Sequence, residues 1–116
     1  MARAATTTDV FNAIAEPKRR RIIDVLAGGD EFAVGQLVER LQWSQPDVSK
    51  HLGVLRKVGV VDVTRHGQHR FYRLNAQALK PVHDWVKTYE RYWGRQLDRI
   101  KQRAERQASE RATGQG

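Results

Sequence analysis

The chain has 116 residues, 40% of them hydrophobic and 29% charged, which suits a single soluble domain with one modest core. Its net charge of +8 and pI near 10.4 call for an anionic partner, nucleic acid first and an anionic membrane second. It contains no cysteine, which excludes disulfides, thiol redox sensing and cysteine metal sites.

Residues 1–7 read as a frayed arm. With one cation and no apolar run, the first eight residues do not read as a secretory signal. No stretch approaches the roughly 18 apolar residues of a membrane span, so the expected location is the cytoplasm. Residues 9–15 read as a short helix with Thr8 as N-cap. Val10, Phe11, Ile14 and Ala15 form an apolar stripe too wide for so short a helix. It must pack on its own core or on another chain.

Pro17 suits the first position of a second helix, where its missing N–H costs little. That helix is expected to end at Gly28-Gly29, with Ile22, Ile23 and Leu26 facing inward. The run Lys18-Arg19-Arg20-Arg21 reads first as a solvated helix start, with Arg20 and Asp24 paired four residues apart. One of the three arginines remains a candidate for a phosphate. Residues 30–32 read as a connector or edge strand.

Two helices joined by a tight turn follow. Val34, Leu37, Val38 and Leu41 fall at i, i+3, i+4, i+7, one apolar face. Gln42-Trp43-Ser44 is the turn, with Trp43 as a packing wedge. Ser44 can accept from an orphan N–H of the next helix, and Asp47 adds negative charge where the helix dipole favours it. The second helix runs from Gln45 to about Val58, and Gly59 suits a left-handed stop. Val48, Leu52 and Leu55 face inward. Pro46, Lys50, Gly53 and Lys57 lie opposite, flanked by Ser49 and Val54. That outward face is positive, polar and low in profile, fit for a DNA major groove.

Residues 60–64 read as a strand and residues 69–74 as its return. Between them Arg65-His66-Gly67-Gln68 is the turn, Gly67 being free to take positive φ. The result is a hairpin with a basic tip. From Arg40 to Arg73 there are seven Lys/Arg and two acids, so much of the positive excess lies on these elements. Asn75 is expected to cap a final helix from Gln77 to beyond Lys101, with Pro81 in its first turn. Leu79, Val82, Val86, Tyr89, Trp93 and Ile100 recur at 3–4 spacing, and Trp85, Tyr92 and Leu97 widen the stripe. Residues 78–108 as one helix would span roughly 46 Å, more than a small domain. The overhanging aromatics call for a second subunit. Residues 109–116 read as a flexible polar tail, so the domain is expected to span residues 8–108.

In residues 44–61 (SQPDVSKHLGVLRKVGVV), in the hairpin through FYRL at 71–74, and in AEPKRRRIIDVL at 15–26, the chain resembles the ArsR family of winged-helix repressors. The likeness covers roughly residues 8–100. The Trp/Tyr-rich last helix is most similar to the SdpR-type autorepressor branch. The resemblance implies a mainly α fold with a small β-hairpin wing, a bacterial protein on the nucleoid, dimerisation through the terminal helices, and repression by promoter occupancy. Many members sense metals. The positions of one family cysteine site hold Ala33 and Gly35 here. On the last helix His83 and Asp84 have no second histidine after them, and two ligands do not close a tetrahedral zinc site. No metal or cofactor is therefore expected.

No nucleophile–base–acid set and no Gly-rich phosphate loop is legible, so an enzyme is not expected. The reading is a homodimeric regulator of double-stranded DNA. Gln45, Ser49 and Lys50 are the expected major-groove residues, with Asp47 a further candidate because a carboxylate can accept from cytosine N4. Gly53 permits close approach, and His51, half-buried, supports the helix or donates to a phosphate. Lys57, Arg65, His66, His69 and Arg70 are the expected phosphate and wing contacts. Val10, Phe11, Ile14, Val86, Tyr89, Trp93, Leu97 and Ile100 are the expected dimer interface. The rival readings are a metal-responsive sensor and a winged-helix module for protein or RNA.

Overall fold

A computed structural model describes residues 9–114. The expected arm at 1–7 and the expected cap Thr8 lie outside them, as do residues 115–116. The described chain divides between Val82 and His83 into two compact units.

The first unit opens with α1 (Val10–Ala15) and α2 (Pro17–Leu26). Asp9, not Thr8, caps α1: its carboxylate accepts from the Phe11 N–H at 2.9 Å. Glu16 plays the same part for Lys18 at the start of α2, where Pro17 holds the first position. Helix α3 (Val34–Leu41) and helix α4 (Gln45–Lys57) form the helix-turn-helix. Gln42 makes the corner in the left-handed region at φ 60°, a conformation seldom taken by a residue with a side chain. Ser44 caps α4 by accepting from the Asp47 N–H at 3.3 Å.

The end of α4 follows from Gly59. At φ 84° it turns the chain so that its N–H reaches the Arg56 carbonyl and the Val60 N–H reaches Leu55. This pair of bonds is the Schellman closure. It delivers Val60 and Val61 straight into the core, both 1% exposed or less. Strand β1 (Val61–His66) then pairs antiparallel with β2 (His69–Leu74). The turn is two residues, Gly67-Gln68, shorter than the four expected: Arg65 and His66 belong to β1 and pair with Arg70 and His69. Gly67 at φ 68° supplies the positive φ such a turn needs at its first position. Phe32 exchanges both backbone bonds with Tyr72, at 2.9 and 2.8 Å, on the free edge of β2.

Ile22, Leu26, Leu37, Val48, Leu52, Leu55, Val60 and Val61 are the fully buried centre, with Ala13 and Tyr72 beside them. They come from α1, α2, α3, α4 and the hairpin, so α4 is buried on one side by nearly every other element. Asn75 does not cap a helix. Its amide donates to the Gly59 carbonyl at 3.0 Å, tying the end of the hairpin to the end of α4. A 3₁₀ turn, Ala76–Leu79, follows.

The expected single last helix is broken. Helix α5 (Lys80–Lys87) ends before Thr88, and α6 (Glu90–Gly114) starts after Tyr89. The Thr88 hydroxyl donates to the Asp84 carbonyl at 3.1 Å, the acceptor its own N–H would use in a continuous α-helix. That N–H turns instead to Trp85, and Tyr89 and Tyr92 likewise bond three residues back. Helix α6 has 25 residues, about 37 Å at 1.5 Å per residue. It continues to Gly114, past the expected end at Ala108. Its last turns are rich in Ala, Glu, Gln and Arg, strong helix formers, with Lys101–Glu105 and Arg106–Glu110 four apart. No described helix is long and apolar enough to cross a membrane.

Candidate nucleic-acid interface

Because Val48, Leu52 and Leu55 fix the inner face of α4, the opposite face is set by helical geometry alone. Pro46, Lys50, Gly53 and Lys57 are exposed there, Ser49 is exposed on its flank, and Gln45 is exposed in the first turn of the helix, on the side of Val48 and Leu52. A Cβ built on Gly53 would meet nothing within 4 Å. The glycine is therefore not required by the chain's own packing.

Asp47, the further groove candidate, and His51, expected to support the helix or donate to a phosphate, are both engaged within the chain. His51 is 4% exposed, not half-buried, and so is withdrawn from the surface. Its Nε2 lies 3.3 Å from Asp47 Oδ1 and its Nδ1 lies 3.4 Å from Arg19 Nη1. The Asp47 carboxylate also pairs with the Lys18 ammonium, which holds it below the usual carboxylate range. Burial pushes the His51 imidazole below its ordinary value, although Asp47 pulls the other way. The physical reason for the departure is position: residues 47 and 51 lie one turn apart on the flank of α4 that meets α2. Trp43 packs as a wedge, with Lys18 4.9 Å above its ring and the His51 ring edge-on to it.

Two of the three arginines of α2 are also spent locally. Arg20 donates to the carbonyls of Ile14 and Ala15, at 2.7 and 3.2 Å, instead of pairing with Asp24. Arg19 donates to the Ala13 and Asn12 carbonyls. The reason is the tight α1–α2 corner, which leaves the last carbonyls of α1 needing donors.

On the wing, cross-strand register decides which side chains share a face. Arg65 and Arg70 face each other, as do His66 and His69 on the other side. All four are exposed. Phe71 carries both histidines, with ring centroids at 5.3 and 6.4 Å. His66 also lies 3.6 Å from Glu31. The platform role of Phe71 and the reach of Glu31 were not legible from spacing. The alternation of the return strand, with residues 69 and 71 on one face, was the available signal for the first.

In the second unit the large side chains lie open: Trp93 is 39% exposed, Leu97 47% and Ile100 65%, with Trp85, Tyr89 and Tyr92 also exposed. In the first unit Phe11 is exposed, while Val10 and Ile14 are half-buried; in the second unit Val86 on α5 is half-buried. His83 and Asp84 form an exposed pair at 3.5 Å. Among the described residues no group of three His, Cys, Asp or Glu could hold a metal ion.

Comparison with known proteins agrees with this architecture. A helix-turn-helix domain family model matches residues 14–64. Over 78 residues the chain is 40% identical to the transcriptional repressor SdpR of Bacillus subtilis, covering 67% of this chain and 86% of that protein. An ArsR-like transcriptional regulator from Rhodococcus superposes with a TM-score of 0.63 at 28% identity, over 90% of this chain and 97% of its own. The transcriptional repressor BigR from Xylella fastidiosa gives a TM-score of 0.55 at 32% identity, over 75% and 89%. With its helix-turn-helix, its two-stranded wing and these relatives, the chain belongs to the ArsR family of winged helix-turn-helix transcriptional regulators.

Proposed function

We propose that the protein is a homodimeric repressor that binds an inverted-repeat operator in duplex DNA and acts by occupying the promoter. The observation that carries this reading is the outward face of α4. It combines two cations and a glycine, with a hydroxyl on its flank and the Gln45 amide exposed in the first turn, on a helix whose other side is locked into the core. Gln45, Ser49 and Lys50 read base edges in the major groove. Gly53 lets the helix approach closely, and Lys57 meets phosphate.

Arg65 and Arg70 support the wing assignment from an energetic side. Like charges placed opposite each other on a hairpin cost stability. A phosphate between them removes that cost, and His66 and His69 add further donors. Asp47 and His51 support α4 from behind and are not assigned to DNA. The dimer is built from Val10, Phe11 and Ile14 of α1 with Val86, Tyr89, Trp93, Leu97 and Ile100 of α5, α6 and the turn between them. In this reading the protein works in the cytoplasm, on the nucleoid.

Salt tests the reading directly. If each subunit neutralises about 4 phosphates, a dimer neutralises roughly 8, and log affinity should fall against log salt with a slope near −7. The measurement is a titration of duplex DNA at several salt concentrations. A slope shallower than about −2 would remove DNA as the partner.

Lys50→Ala and Arg70→Ala should fail differently. Loss of Lys50 should cost about 1–3 kcal/mol on the preferred site and relax sequence preference. Loss of Arg70 should weaken all sequences alike. Binding of both variants to a selected and a scrambled duplex separates the two roles. Equal loss on the two duplexes for Lys50→Ala would refute base reading at that position.

A further inference from the structure

A run of hydrogen bonds leads from α1 to α4. The Arg19 guanidinium donates from Nε to the Ala13 carbonyl and from Nη2 to the Asn12 carbonyl, both on α1. Its Nη1 lies 3.4 Å from His51 Nδ1 on α4. A guanidinium only donates, so Nδ1 must accept, and the single imidazole proton belongs on Nε2. There it faces Asp47 Oδ1 at 3.3 Å, while the other Asp47 oxygen is taken by Lys18 of α2. Trp43 lies edge-on to His51 and under Lys18. Three helices and the corner before α4 thus meet at one buried imidazole.

We infer that Arg19 and His51 are positioning residues for DNA binding: a neutral His51 couples the seat of α1 to the setting of α4, and protonation of His51 uncouples them. The inference rests on the proposed function, which puts DNA contacts on α4 and a subunit contact on α1. A second imidazole proton would sit on Nδ1 and point at Arg19, which cannot accept it. The charged groups around the ring divide. Asp47 on α4 and Glu16 at the α1–α2 corner favour the charged ring, whereas Arg19 on α2 and Lys50 on α4 oppose it. Burial adds to the opposition and lowers the imidazole below its ordinary 6.5. Below that value the unfolded chain takes up a proton that native His51 refuses. The stability tied to the neutral ring is therefore present above about 6.5 and is lost as pH falls through the lowered native value.

The test uses the full chain, an inverted-repeat duplex selected by the wild type from a random pool, and a scrambled duplex of equal length. His51→Gln keeps one acceptor and one donor without a titrating ring. Comparing it with wild type at each pH cancels His66 and His69, which both proteins share. On the selected duplex the wild-type to His51→Gln affinity ratio should fall about fivefold or more between about pH 8 and about pH 5. On the scrambled duplex it should stay flat. In the free protein, ring-nitrogen NMR should show the Nε2–H tautomer, and Arg19→Gln should move the His51 midpoint upward. A flat ratio on the selected duplex, or a midpoint unmoved by Arg19→Gln, would overturn the inference. A wild type that selects no duplex would be a failure of the proposed function instead. The NMR titration needs no DNA and still decides whether Arg19 controls His51.

Discussion

Replacing Trp93 by alanine is expected to dissociate the proposed homodimer while leaving the helix-turn-helix folded. Trp93 is 39% exposed in the single chain and belongs to the second unit, so its removal leaves no hole among Leu37, Leu52 and Leu55. Across a two-fold interface the same change occurs twice. A buried tryptophan at the centre of an interface contributes about 2 kcal/mol or more. Two of them amount to about 4 kcal/mol, roughly a thousandfold in the dimer dissociation constant. Operator affinity should fall with it, because two recognition helices must be held about 34–36 Å apart to reach successive grooves. Sedimentation across a concentration series measures the first effect and DNA titration the second. A wild type that sediments as a monomer at micromolar concentration, or a variant that dimerises unchanged, would exclude this interface.

Leu55→Ala should do the reverse and weaken binding by destabilising the first unit. Leu55 is completely buried on the inner face of α4, and its carbonyl is also the acceptor that closes the helix through Val60. Truncating a leucine in such a site costs about 2–5 kcal/mol, against a total of about 5–15 kcal/mol for an ordinary domain. For a unit of this size that corresponds to a fall in melting temperature of roughly 10–40 °C. Circular dichroism melts would register it without any DNA. A melt within a few degrees of wild type would mean that α4 is not held where its packing places it.

The two variants separate what local pattern decides from what packing decides. The helix-turn-helix was legible because its signals are local: apolar spacing at 34–41 and 48–55, Ser44 as a cap, and Gly59 as a stop. Each acts within a few residues of itself. The hairpin was legible for the same reason, through β-branched residues and Gly67, but its turn was read two residues too long. Strand pairing, not composition, placed Arg65 and His66 in the ladder.

Long-range chemistry could not be read that way. In sequence, Asp47 is a groove candidate because a carboxylate can accept from cytosine N4, and His51 either supports the helix or donates to a phosphate. Folding brings α2, about thirty residues earlier, against that flank of α4, and Lys18 and Arg19 claim both side chains. The same holds for the last helix. Its apolar period runs on through Thr88 and Tyr89, so periodicity predicts no break. A hydroxyl that competes for the Asp84 carbonyl interrupts the backbone without disturbing the pattern. Burial faces follow from periodicity because helix geometry repeats. The partners of a polar side chain follow only from which surfaces the whole chain brings together, since an ion pair needs proximity in space and leaves no period in sequence.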